Sequence, residues 1–280
     1  MTTARPPAQG EQPWQLRLFG MTLKKKQKMD LLLRLLGKPG PAERLLLLTN
    51  GDNNGAMNYV FRRQGGRWTW GEFEEAPIAE MAAFLGEPVV RASVERLPFD
   101  AEAFDTVVVI DVHEHLADPS DLNRELWRII GSGGRIIVTT PNGDASKPAV
   151  RIKNLLGMTK ETYGHVRDGY TIPELRAMMS AVGFQPYADG HYANFFTEMV
   201  ELGINLAYVK VLNRKKAASD ADHGHAAIAP SSSDQVRKVE KTLKLYRLIY
   251  PFTRAAASFD VLLNPFRVGY AVAVAFRKPA

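Results

Sequence analysis

The sequence predicts an α/β fold: an open sheet whose first strands run parallel, with ligand-binding groups gathered at one edge. Three observations carry this. Residues 104–112 are a continuous apolar, β-branched run, too uniformly apolar for a half-wet strand, so both faces are covered. Strand and helix patterns alternate from Arg44 onward, which implies parallel strands joined by right-handed crossovers. Polarity returns abruptly at Asp111, His113, Glu114 and His115, where the fourth strand exits, and open α/β sheets hold ligands at that edge.

Taken in order, residues 1–13 are rich in Pro, Gln and Thr and are expected to be disordered. Residues 21–37 read as an amphipathic helix, with Leu23 and the run Leu31, Leu32, Leu33, Leu35 and Leu36 after a basic first turn. A strand at 44–49 follows, assigned on its length and on the turn residues after it. The turn Asn50-Gly51-Asp52-Asn53-Asn54-Gly55 then feeds a helix at 56–64. Strands at 67–73 and 88–93 flank a helix at 77–85, and the fourth strand is 104–112.

Residues 119–130 have helical spacing through Leu122, Leu126, Ile129 and Ile130. Ser120 is placed to cap that helix, and Gly131, Gly133 and Gly134 to stop it before a strand at 135–140. A loop-like stretch reaches Gly169, then a helix is expected at 173–181 and a strand at 184–192. Residues 194–216 are helical in spacing, and 217–235 read as a flexible linker rich in Ser, Ala, Asp and His. Residues 236–264 read as basic, aromatic and helical apart from Pro251, and 267–276 as a strand.

At 280 residues the chain has room for one large α/β domain with an insertion. It has no cysteine, which excludes disulfides, thiolate nucleophiles and cysteine zinc sites and fits a reducing cytoplasm. The net charge of +6 lies largely in Lys24, Lys25, Lys26 and Lys28, in Arg214, Lys215 and Lys216, and between Arg237 and Arg247. A solvated basic face is the expected reading, because no aromatic residues interleave as a nucleic-acid platform needs. The N-terminal segment lacks the long apolar core of a signal peptide, and no window is apolar enough for a spanning helix.

The stretch from Ala92 to Asn142 carries ordered motifs: Glu95-Arg96-Leu97-Pro98-Phe99, Phe104-Asp105, Glu114-His115, Glu125-Leu126-Trp127-Arg128, Gly133-Gly134 and Thr140-Pro141-Asn142. As a set they resemble the small-molecule branch of the class I S-adenosylmethionine-dependent methyltransferases, a resemblance that runs over residues 31–190. It implies a Rossmann-like, mostly parallel sheet whose last strand is antiparallel, with 184–192 and 267–276 as a closing hairpin. The chain would then divide into a core at 14–192, a helical insertion at 193–265 and a final core strand and tail at 266–280.

The resemblance implies S-adenosylmethionine as cofactor, on Asn50, Gly51, Asp52, Asn53 and Gly55 for its methionine end. Glu72, with Glu74 as runner-up, would take the ribose, Ser93 and Val94 the adenine, and Asp111 the pocket floor. The family's acidic residue and middle glycine in the first loop are here Thr49 and Asn53, and Asn tolerates a left-handed backbone. His115 is a candidate general base, because imidazole accepts protons near neutral pH, although the Glu-His pair also shapes the cofactor pocket in the family. His165 sits with Tyr163, Arg167 and Tyr170 on a segment expected to cross the pocket mouth.

Arg167 is expected to meet either a substrate or its neighbour Asp168. Asp111 to His115 offer metal-type ligands, but their spacing on a strand exit does not match a helical His-x-x-x-His site, and no metal is expected. His223 and His225 fall in the linker and are read as part of its disorder.

The expected acceptor is a small or lipid-linked molecule in a cytoplasmic setting. The insertion's basic and apolar residues suggest a surface for anionic membrane, with ordinary packing of the apolar residues on the core as the preferred reading. Two rivals remain: a non-catalytic binding protein on the same fold, and a nicotinamide-dependent oxidoreductase, for which the chain lacks Gly-x-Gly-x-x-Gly.

Overall fold

In a computed structural model, residues 12–51, 53–216, 240–266 and 268–280 are described. The strands are β1 Arg44–Thr49, β2 Arg67–Glu72, β3 Val89–Arg91, β4 Phe104–Ile110, β5 Ile130–Pro141, β6 Gln185–Tyr192 and β7 Ala271–Arg277. They form one sheet in the order β3-β2-β1-β4-β5-β7-β6. The first five are parallel, and β7 lies antiparallel between β5 and β6.

The helices are α1 Trp14–Met21, α2 Leu23–Leu36, α3 Ala56–Arg62, α4 Ile78–Leu85, α5 Ser120–Ile129, α6 Pro148–Leu155, α7 Ile172–Ser180, α8 Phe195–Lys216 and α9 Glu240–Ser258. Alternate strand residues face opposite ways. Leu46, Leu48, Val107, Val109, Ile136 and Val138 pack under α5 and α7 through Leu122, Leu126, Leu175 and Met179. Leu45, Leu47, Val108 and Ile137 pack under α2, α3 and α4 through Leu32, Leu36, Phe61 and Met81. A leucine-rich β1 is stable as a strand because this double cover buries Leu45 to Leu48 completely.

The structure corrects the sequence reading at several elements. The first helix begins at Trp14, and α1 and α2 are separate helices meeting at Thr22, whose hydroxyl donates to Leu18 O (3.0 Å). Ser120 does not cap α5. The carboxylate of Asp118 accepts from Ser120 N (2.9 Å) and does that work from outside the helix.

Gly131, Gly133 and Gly134 do not stop the chain before a strand but lie inside β5, which begins at Ile130 opposite Phe104. Gly134 is needed there: an added Cβ would sit 2.6 Å from the Ile130 side chain and 3.0 Å from Asp105 O. The stretch after Asn142 holds α6 and a 3-10 turn, Lys160–Tyr163. α9 runs through Pro251, because Tyr246 and Ala257 are buried on either side of it and hold the helix against the lost backbone bond. The expected linker at 217–235 and most of the expected N-terminal disorder lie outside the described residues.

The described residues between 193 and 266 pack against helices that flank the sheet. α8 meets α2, α6 and α9. Its N-terminus is held by Asp260, which accepts from Phe196 N (2.8 Å) and Thr197 N (2.9 Å). Tyr246 and Tyr250 donate to Met21 O and Gly20 O, tying α9 to the α1–α2 junction.

Candidate active site

The carboxyl ends of β3, β2, β1 and β4 lie side by side, and the loops leaving them carry every residue expected to meet a cofactor. After β1 the backbone turns at Gly51 (φ 74°) and Gly55 (φ 87°), where a side chain is penalised; at Gly55 it would also meet the Phe84 ring at 2.9 Å. Asn53, which stands where the resemblance implies the middle glycine, is fixed by its own side chain. It is buried, donates to Asn58 Oδ1 (2.7 Å) and Thr49 Oγ1 (3.3 Å), and accepts from Gly55 N (3.1 Å). Amide hydrogen bonds thus hold the loop where a glycine would leave it free. Asn50 and Gly51 are half-buried at its start, and Asp52 lies outside the described residues.

Glu72, at the end of β2, is fully buried. It accepts from Thr49 Oγ1 (2.7 Å), Gly51 N (2.7 Å) and Glu74 N (2.9 Å). Thr49, at the position where the resemblance implies an acid, is thus a donor to the acid of the second strand. Burial pushes the Glu72 carboxyl up to about 7, against the pull of those hydrogen bonds. Glu74 is exposed. Ser93 is exposed with its hydroxyl donating to Glu95, and Val94 packs on the core under α5.

Asp111 closes β4 with a left-handed backbone (φ 51°), a strained conformation for a non-glycine residue at a sheet's ligand edge. It accepts from Thr139 Oγ1 (2.8 Å) and is ion-paired with Lys28 of α2. Burial works to raise its carboxyl, but the Lys28 ammonium and the Thr139 hydroxyl outweigh that and hold it below the usual range. Lys28 itself is only 6% exposed, so the basic first turn of α2 is not a uniformly solvated face. Lys24 likewise joins Lys153 around the buried carboxylate of Glu198. Sequence reading missed both lysines. The available signal was that Lys28 shares a helix face with Leu31 and Leu32.

His113, Glu114 and His115 form a one-turn 3-10 helix after β4. His113 faces inward: Nε2 donates to Asn123 Oδ1 (2.9 Å), and burial pushes the imidazole down to about 4, so it is neutral. Glu114 is fully buried, and neither carboxylate oxygen has a hydrogen-bond partner. Burial first, and then the nearby Asp111 charge, hold its carboxyl well above the usual range.

His115 Nδ1 donates to Gly164 O (3.1 Å), and its ring meets that of His165 edge-on at 4.7 Å. The structure thus brings the two candidate catalytic histidines together. Arg167 does not pair with Asp168: it stacks on the Tyr170 ring at 3.7 Å and reaches Glu174 at 3.5 Å. His223 and His225 lie outside the described residues.

Other motif residues are structural. Arg128 donates to Phe99 O (2.8 Å), Leu97 O (3.1 Å) and Glu125, while Glu125 accepts from Leu97 N (2.9 Å), so the helix motif clamps the Leu97-Pro98-Phe99 segment. Asn142 donates to Gly269 O (2.9 Å) and joins the end of β5 to the start of β7.

Residues 49–138 match the family model described as a methyltransferase domain. A comparison with curated protein sequences gives no match. Among solved structures, the chain is similar to an S-adenosylmethionine-dependent methyltransferase of Thermotoga maritima, at 15% identity, 94% of this chain, 93% of that one and TM-score 0.53. It is also similar to geranyl diphosphate C-methyltransferase of Streptomyces coelicolor A3(2), solved with Mg2+, geranyl diphosphate and S-adenosylhomocysteine. There the identity is 16%, the coverage 91% of this chain and 80% of that one, and the TM-score 0.53. The 4+2 cyclase SpnF aligns at 15% identity over 91% of this chain and 82% of that one, with TM-score 0.53. Residues 49–138 are thus similar to a methyltransferase domain, and the sheet that carries them has the fold of the solved S-adenosylmethionine-dependent methyltransferases.

Proposed function

We propose that the protein transfers a methyl group from S-adenosylmethionine to a small-molecule or lipid-linked acceptor. The observation that carries this is the convergence of the Gly51–Gly55 turn, Glu72, the Ser93-Val94 segment and strained Asp111 at the carboxyl ends of four adjacent strands. The donor set fits the cofactor, which when bound supplies an electrophilic methyl on a sulfonium.

In this reading the backbone amides of residues 50–55 hold the methionine end, and Glu72 accepts from the ribose while it braces the loop. Ser93 and Val94 line the adenine. Asp111, which now holds the Lys28 ammonium, has the charge and location to hold the cofactor's own ammonium. Methyl transfer is a direct displacement, so alignment and exclusion of water are the protein's main tasks. His115 and His165 stand on the acceptor side, where imidazoles take up an acceptor proton or hold an ion that makes the proton easier to lose.

Calorimetry with S-adenosylhomocysteine tests the cofactor assignment. One-to-one binding at micromolar affinity, weakened tenfold or more in Asp111→Asn, is expected. No heat at high micromolar ligand would favour a non-catalytic binding protein, the alternative raised by Thr49 and Asn53 in the first loop, since a fold does not by itself fix an activity.

A second reading concerns membranes. Leu248, Phe252, Val261, Leu262 and Phe266 are each more than half exposed on the same helical flank, beside exposed Arg247 and Arg254. Among the described residues no helix is long and apolar enough to cross a membrane, so such a surface would lie on the bilayer. Flotation with anionic liposomes is expected to carry the protein upward, and protein left wholly in the soluble fraction overturns the reading.

A further inference from the structure

Glu114, His115 and His165 converge at the exit of β4, with one potential ligand atom from each lying within 4.8 Å of the others. A tetrahedral site with bonds of about 2.0–2.1 Å has edges of roughly 3.3 Å, so modest side-chain rotation closes the set around one ion. We propose that these three residues bind a divalent transition-metal ion.

Three features of the surroundings support this. Glu114 is fully buried and both its carboxylate oxygens lack a hydrogen-bond partner, a costly arrangement that a cation would repay. The Gly164 carbonyl takes the Nδ1 proton of His115, which leaves the lone pair of Nε2 for a metal, the second-sphere contact that ligating histidines commonly make. The loop bearing His165 is fastened to Glu114 itself, since Val166 N (3.0 Å) and Arg167 N (3.3 Å) both donate to Glu114 O. His165 is thus held beside the other two.

Two imidazoles and one carboxylate suit Zn2+, Co2+, Mn2+ or Fe2+ better than Ca2+ or Mg2+, and three protein ligands leave positions for an exogenous oxygen. Spacing along the chain hides this site, because its third ligand comes from a different loop. The inference uses the histidines that the methyltransferase reading places on the acceptor side, but it does not depend on methyl transfer.

The test is titration of chelator-treated full-length protein with Co2+ and Zn2+, read by visible absorption and calorimetry. One ion per chain is expected, with Co2+ bands of a low-coordinate nitrogen and oxygen site, and at least tenfold weaker binding in His165→Ala and His115→Ala. Glu114→Gln is a further variant, and His165→Ala keeps the test valid should that one misfold. The double variant His223→Ala/His225→Ala should bind as the parent does. Absence of stoichiometric binding, unchanged affinity in His165→Ala, or loss of binding only in the His223/His225 variant would each overturn the site. Calorimetry with S-adenosylhomocysteine, run separately, tells failure of this site from failure of the cofactor assignment.

Discussion

Lys28 and Asp111 form an ion pair between α2 and the end of β4, with the lysine almost wholly enclosed. Removing one partner strands the other. Lys28→Met should cost about 2 kcal/mol in urea denaturation, less than a fully buried pair would lose because Asp111 keeps some solvent contact. Lys28→Met with Asp111→Asn should recover at least half of that, since Asn accepts the left-handed backbone. A double variant no more stable than Lys28→Met alone would contradict the pairing as the cause.

Glu72 predicts a pH dependence. Its carboxyl stands at about 7 in the folded chain against an ordinary 4.5, so the folded state holds the proton more tightly than the unfolded one. The stabilisation is complete below about pH 4.5 and is lost as pH rises through about 7, amounting to about 3 kcal/mol. Glu72→Gln should flatten the stability profile between those limits. In the proposed function the ionised carboxylate is the better ribose acceptor, so S-adenosylhomocysteine should bind more weakly below pH 7 in the parent and independently of pH in the variant.

Arg128 reaches two backbone carbonyls and a carboxylate at once. Arg128→Lys keeps the charge and loses the fork, and should cost about 1–3 kcal/mol in thermal or chemical denaturation. Hydrogen exchange at Leu97 N, which is bonded to Glu125, should quicken in the variant.

Asp260 secures two amides at the start of α8. Asp260→Ala should lower stability by about 1–2 kcal/mol, measured by denaturation. Limited proteolysis should then cut first within residues 195–262.

The fold was legible where patterning is local. The apolar runs at Leu45–Leu48 and Val107–Val109, and the Gly and Asn turn between Thr49 and Ala56, declared strands, loop and parallel sheet, because double burial leaves no polar alternation to obscure them. Boundaries set by tertiary pairing were less visible: Ile130 enters β5 because Phe104 is there to pair with it. The cofactor edge could be read because strand ends carry it. Lys28 and His165 could not be assigned, since each gains its role from a partner on a distant element.

β7 has an assembly consequence. It is the last strand in sequence, yet it occupies an interior place, with β5 and β6 bonded to its two sides. Without it β5 keeps only β4 as a partner and β6 has none, and Val272, Val274 and Phe276 are missing from the hydrophobic floor beneath α7. Closing the sheet therefore depends on pairing β7 with a strand far back in the sequence, a contact that is slow to form.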